Sequence, residues 1–185
     1  PLPFLTGTIC AHRCQNKCSR NFYDESVHIR DTKLVAAENG YGALMASLKP
    51  TEKLPGKKAA IIGGGPTGIA AAYFLGRAGI ETTIFEREEK LGGVPRYVIP
   101  AFRISDEALD KDVALMERLG VEVKCGAPAP SVDELKKMGY THILMATGAW
   151  QAGELGIPGN VKGVIGWMKE MKQQVKPCIE GHVVV

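Results

Sequence analysis

Residues 58–86 constrain the fold more than any other stretch of this chain. A short apolar run, Ala59–Ile62, has the character of a strand buried on both faces. Gly63, Gly65 and Gly68 follow at once with G-x-G-x-x-G spacing, within the run Gly63-Gly64-Gly65-Pro66-Thr67-Gly68. An alanine-rich helical stretch comes next, and then a second strand that ends on Glu86. Each part of this unit has a physical job. Gly63 makes the tight turn, Gly65 lets a pyrophosphate approach the backbone, and Gly68 lets the helix lie close to the strand. The helix start offers unpaired N–H groups and the positive end of its dipole to an anion. Glu86, 23 residues beyond Gly63, is placed to accept hydrogen bonds from ribose hydroxyls. Its replacement is expected to weaken nucleotide binding with the fold intact. An acid there also disfavours a 2′-phosphate, so the expected nucleotide is FAD or NAD rather than NADP.

The chain's 185 residues are enough for one good core with a small appendage. A dispersed net charge of +3 argues for neither nucleic acid nor a membrane surface as partner. No apolar run approaches a membrane span and no signal peptide is visible, so a cytoplasmic protein is expected. The start at Pro1-Leu2-Pro3 and the apolar stop at Val185 suggest a piece of a longer protein.

Cysteine usage supplies a second signal. Three of the five cysteines, Cys10, Cys14 and Cys18, crowd into nine residues, while Cys125 and Cys178 lie far away. An odd count with this crowding is unlike a disulfide framework and suggests a reducing compartment. Thiolates at close, regular spacing suit an iron–sulfur cluster or zinc, with His12 available to complete a zinc set.

The remaining segments frame the glycine unit. Residues 1–22 show little periodicity. Asp31–Leu48 is expected to be a helix capped by Asp31 or Thr32, with Leu34, Val35, Leu44 and Met45 as its apolar stripe. Residues 49–57, with Pro50, Pro55 and Gly56, form a linker. After Glu86 and Arg87 comes Gly92-Gly93, a pair that lets backbone pass close to the flavin side of a dinucleotide pyrophosphate. Two-dinucleotide-domain flavoproteins carry such a pair, which moves the expectation from NAD to FAD. Residues 97–103 form an irregular loop. Ser105 then caps a helix with Leu109, Val113, Met116 and Leu119 on one face, ended by Gly120. Residues 121–124 alternate as a third strand, with Cys125 as a small core residue. Ser131 and Glu134 make a capping box. Residues 141–149 form a fourth strand running into Ala146-Thr147-Gly148, where backbone closes over the cofactor. His142 heads that strand as a solvated or core imidazole rather than a catalyst. Residues 155–158 are a loop, residues 164–175 a helix with Trp167 in the core, and residues 181–185 a further strand.

Together these motifs resemble the small (beta) subunit of glutamate synthase and its relatives, NADPH-dependent flavin and iron–sulfur oxidoreductases. The N-terminal part of dihydropyrimidine dehydrogenase and the flavoprotein subunit of a selenate reductase type are similar. The carriers are Gly7 to Cys18, Gly63 to Gly68, Glu86 to Gly93, Ile99-Pro100-Ala101-Phe102-Arg103, Gly120 to Val123 and Ala146 to Gly148. The resemblance implies a Rossmann-like α/β fold: an FAD-binding parallel sheet flanked by helices, with a small N-terminal helical cysteine-containing segment. It divides the chain into residues 1–56, the end of an iron–sulfur-type helical domain; 57–160, the FAD-binding domain; and 161–185, a connection and the truncated first strand of an NADPH-binding domain. It places FAD on Gly63, Gly64, Gly65, Pro66, Thr67, Gly68, Glu86, Arg87, Gly92, Gly93, Val94 and Arg103. Ala129 or a neighbour would contact the adenine, and Ala146, Thr147 and Gly148 would close the site. Cys10, Cys14 and Cys18 match the second half of a 4Fe-4S cluster-binding segment whose upstream cysteines are missing here. The implied activity passes electrons from NADPH through FAD and clusters to an acceptor subunit or domain, with this portion alone inactive. No catalytic acid or base is assignable. A nucleotide-binding Rossmann module, either a plain NAD dehydrogenase or a non-redox sensor, is the alternative.

Overall fold

The computed structural model describes residues 1–151 and 163–173. Among these residues four parallel strands form the sheet: β1 (Lys58–Ile62), β2 (Glu81–Phe85), β3 (Glu122–Lys124) and β4 (His142–Met145), in the order β3-β2-β1-β4. Among the described residues, β1 and β2 have neighbours on both sides. Their central residues are accordingly almost dry, with Ala60, Ile61 and Ile84 fully buried.

Strand alternation sorts the core into two layers. Ile61 and Ile84 join Ile69, Ala72 and Tyr73 of α4 (Pro66–Arg77) and Leu115 and Met116 of α6 (Asp106–Glu117). Ala60 and Phe85 face the opposite side, where they meet Leu135 of α7 (Val132–Lys137) and Tyr140. Helices on both faces of a parallel sheet are the doubly wound arrangement expected from the sequence. β4 is shorter than expected, with Leu144 and Met145 exposed.

The caps of α6 and α7 fall where the sequence placed them. The Ser105 hydroxyl accepts from Ala108 N–H at the start of α6. Ser131 and Glu134 form the full capping box at α7. Gly120 and Gly139 take φ values of +76° and +85° just beyond these two helices.

The N-terminal region is helical, as the resemblance implies, and differs from expectation in the cap and inward face of its longest helix. Its weak periodicity hides α1 (Pro3–Ile9), α2 (Arg13–Asn16) and a 3-10 turn at Ser19–Phe22. Helix α3 runs Ile29–Ser47 with His28, not Asp31 or Thr32, at its N-cap and no side-chain cap. Its inward residues are Leu34, Ala37, Tyr41, Leu44 and Met45, whereas Val35 is exposed. Phe4 meets Tyr41 edge-on at 5.4 Å, and Gly7 brings α1 so close to Leu34 that a Cβ would lie 2.9 Å from its Cα. The carboxylate of Asp112, on α6, accepts from Phe4 N–H at 3.0 Å and Leu5 N–H at 2.8 Å. This fastens α1 to the sheet domain. Burial pushes the Asp112 carboxyl up, opposed by those two hydrogen bonds.

Residues 94–97 form the short helix α5 (Val94–Tyr97), so the expected irregular loop at 97–103 begins one residue late. Helix α8 covers Val164–Gln173, and Trp167 there is half-buried rather than core. Cys125 is half-buried against the first core layer, and burial pushes its thiol up. His142 is exposed. The expected loop at 155–158, Cys178 and the strand at 181–185 lie outside the described residues. No helix among the described residues is long and apolar enough to cross a membrane.

Candidate functional site

The turn after β1 is built by backbone contact. Gly63 has φ +108°, and a Cβ on it would overlap the carbonyl of Ala146. A Cβ on Gly68 would overlap the carbonyl oxygen of Gly63, so α4 can cross β1 only with glycine there. These two glycines are required by the fold itself.

Gly65 is different. Its φ of −76° suits any residue, and a Cβ would meet only Gly93 Cα, at 3.9 Å. It stands at the N-cap of α4, which has no capping side chain and carries Pro66 at its first position. The first-turn amides of a twelve-residue helix therefore open toward the space beside Gly65. Such a helix start is suited to an anion.

Glu86 is buried at the end of β2, with 7% of its surface exposed. One carboxylate oxygen accepts from Gly64 N–H at 2.6 Å and the other from Glu88 N–H at 2.9 Å. The sequence assigned this acid to a ligand alone; the structure gives it a second task, bracing the glycine turn. A carboxylate has about four lone-pair positions, so acceptor capacity remains for ribose hydroxyls.

Gly92 and Gly93 form the facing wall. Their φ values are +133° and +57°, and Gly92 N–H donates to Gly64 O at 2.8 Å. A Cβ on Gly93 would lie 2.8 Å from Gly65 Cα, so the two glycine segments touch through backbone.

Between these segments lies a cavity of about 440 Å³. Of the residues singled out from the sequence, Gly63, Gly65, Pro66, Thr67, Glu86, Arg87, Gly93, Val94, Ala129, Ala146, Thr147 and Gly148 line it. Gly64, Gly68 and Gly92 sit behind that surface and shape it. Arg103 stands elsewhere, in a second cavity of about 360 Å³ with Phe4, Thr8, Leu34 and Glu38. Sequence reasoning missed Ile62, Phe85, Pro95 and Trp150, which also line the first cavity, as does Pro128, the neighbour of Ala129. The Arg87 guanidinium lies 5.2 Å from the Trp150 ring, a cation–π contact at the cavity edge. The available signal was an aromatic side chain two residues past Gly148, at the end of a strand.

The cysteine trio is not gathered into a site. Cys10 and Cys18 are half-buried, Cys14 is exposed, and all three thiols are free. Among the described residues no three His, Cys, Asp or Glu side chains are grouped to hold a metal ion. His12 Nδ1 lies 3.2 Å from the Cys10 carbonyl oxygen. The His12 backbone N–H draws the Cys10 thiol below its ordinary range, and the Val27 and Arg20 N–H groups do the same for Cys18. Thiolate-favouring surroundings suit metal ligands, yet three donors leave a four-cysteine set incomplete.

Residues 57–185 match the sequence profile of the pyridine nucleotide-disulphide oxidoreductases. The chain belongs to this family. It is 36% identical over its whole length to YgfK of Escherichia coli strain K12, named as an oxidoreductase, and spans 18% of that protein. It is 34% identical to the glutamate synthase [NADPH] small chain of Mycobacterium tuberculosis, with 85% of this chain and 33% of that one aligned. With the NADPH-Fe(3+) oxidoreductase subunit beta of Geobacter sulfurreducens it shares 33% identity over 91% of this chain and 26% of that one. The chain thus spans between about a fifth and a third of these three relatives, and its sequence is similar to glutamate synthase small chains. A 2-naphthoyl-CoA reductase structure shares the fold, with TM-score 0.54 and 21% identity over 81% of this chain and 22% of that one.

Proposed function

We propose that the glycine turn binds FAD and that this chain is the FAD-binding portion of an NADPH-dependent oxidoreductase. The observation that carries the reading is Gly65. The fold leaves room for a Cβ there, so the open space beside Gly65 is reserved for a ligand that needs the bare backbone. The pyrophosphate would lie on the uncapped start of α4, where Thr67 and Gly68 offer amides. The adenosine ribose would share the Glu86 carboxylate with Gly64 and Glu88. The adenine would lie beside Arg87, Pro128, Ala129 and Trp150, which line the cavity.

Bound FAD would supply the redox chemistry; the residues of this chain bind it, orient it and exclude water around it. The Gly92–Gly93 wall favours FAD over NAD, because its backbone contact with Gly65 prepares the flavin side of the pyrophosphate. Electrons would leave through iron–sulfur clusters to an acceptor subunit or domain, with Cys10, Cys14 and Cys18 as part of one ligand set. NADPH would dock outside the described residues. Names of relatives that join NADPH to Fe(3+) reduction or glutamate synthesis support this direction of flow. Equilibrium titration of the ligand-free protein and of its Gly65→Ala variant with FAD, NAD and NADP tests the assignment.

A further inference from the structure

Arg96 is an unexpected residue to find inside this fold. It stands on α5 with a side chain only 4% exposed, and the sequence motifs give it no role. Its guanidinium points three ways. Nε donates to the carbonyl of Leu91 at 2.5 Å, Nη2 donates to Asp110 Oδ1 at 2.5 Å, and Nη1 lies 3.5 Å from Asp106 Oδ1. Nη1 is buried and has no hydrogen-bond partner among the described residues, with the Asp106 carboxylate 3.5 Å away. Both carboxylates belong to the first turns of α6, which is anchored in the core through Leu115 and Met116.

The residue held at the other end of this fork adjoins the cavity wall. Leu91 immediately precedes Gly92-Gly93. A Cβ on Gly92 would lie 2.7 Å from Arg96 Cβ and 3.0 Å from its Nε, so the arginine fills the space that a side chain at 92 would take. The main chain of Arg96 is held as well: Lys172 of α8 donates to the carbonyls of Arg96 and Ile99. Two adjacent glycines with positive φ have much conformational freedom to lose, and a ligand that orders them bears that cost.

We propose that Arg96 is a positioning residue for the dinucleotide, clamping Leu91-Gly92-Gly93 to α6 so that the cavity wall is formed before the ligand arrives. It touches no ligand; it acts through the Leu91 carbonyl. Lysine cannot replace it, because a single ammonium cannot reach three diverging partners while keeping the fork planar. The inference rests on the FAD reading for its functional consequence, but the clamp itself is a property of the ligand-free protein.

The test uses Arg96→Gln, Arg96→Lys and the surface double variant Asp106→Asn/Asp110→Asn, each verified as folded by circular dichroism. Hydrogen exchange of the ligand-free proteins reads the clamp directly. The Gly92 amide, bonded to Gly64 O, should exchange about tenfold faster or more in Arg96→Gln, with the Ile61 amide of β1 unchanged. FAD affinity should fall about tenfold in Arg96→Gln, with the lysine variant between it and the wild type. Should Arg96→Gln not fold, the double variant at two exposed positions carries the test, with smaller changes in the same direction. Unchanged Gly92 exchange overturns the clamp whatever the ligand. Accelerated exchange with unchanged FAD affinity overturns its role in binding. A wild-type protein that binds no FAD refutes the proposed function instead, and Gly92 exchange still decides the clamp.

Discussion

The Glu86 carboxylate accepts a hydrogen bond from the Gly64 backbone N–H across 2.6 Å, joining the end of β2 to the turn after β1. Both partners are buried, and the same carboxylate also holds Glu88 N–H. The acid is therefore part of the turn as well as part of the site. Replacing it by alanine leaves two amides without their charged acceptor.

Glu86→Ala should consequently lower both stability and affinity. Losing hydrogen bonds to a charged group costs about 1.5–3 kcal/mol, which for a chain of this size corresponds to a Tm lower by about 3–12 °C. FAD binding should weaken by about ten- to a hundredfold. Calorimetry and titration of the same sample check both. An unchanged Tm would mean that the bond to Gly64 does not brace the turn.

The three motif glycines should separate by cause. Gly63→Ala and Gly68→Ala force a Cβ into backbone carbonyls and should cost at least about 2 kcal/mol of stability in denaturant unfolding. Gly65→Ala should melt close to the wild type, because its backbone angles and surroundings accept a methyl. Its FAD affinity should nevertheless collapse. Equal destabilisation by all three would remove the distinction.

How much of this was legible beforehand follows the range of the contacts. β1, the turn, α4, β2 and Glu86 were readable because spacing along some thirty residues specifies them. The Ser105 cap and the Ser131–Glu134 capping box are likewise local patterns. Asp112 was not readable: its partners are Phe4 and Leu5, more than a hundred residues away. The Arg96 fork depends on how α5 lies against α6, which no local period encodes. Arg103 follows a readable motif, yet its backbone leads it to the cavity beneath α1 and α3 rather than to the glycine turn. Val35 and Trp167 misled for a common reason, since an apolar side chain on a short or two-sided helix need not face the core.

Acid should loosen the β2–β3 edge. The Thr83 hydroxyl, helped by Lys124 and Lys58, holds the Glu122 carboxyl below the ordinary glutamate range against the opposing effect of desolvation. A depressed folded-state pKa contributes stability that is complete above the unfolded value and vanishes as pH falls through the folded one. Glu122→Gln should therefore melt below the wild type at neutral pH, with the two curves converging below about pH 4. A Tm difference that stays constant across that range would contradict the pairing. Because Glu122 is largely solvent-exposed, the difference should be small.

Cys10, Cys14 and Cys18 should hold iron poorly within these 185 residues, since they are ungathered and three in number. Anaerobic reconstitution followed by iron and sulfide analysis should give well under one cluster per chain. Cys14→Ser should leave the sheet domain's Tm unchanged, as the thiol is exposed. A stoichiometric, stable cluster would show that other residues complete the set.

The central claim is that the cavity beside Gly65 is an FAD site, and direct binding decides it. Ligand-free protein, titrated at equilibrium with FAD, NAD and NADP under one set of conditions, should bind FAD most tightly, and Gly65→Ala should abolish that preference while remaining folded. Tighter binding of NADP than of FAD, or FAD binding untouched by Gly65→Ala, would contradict the account.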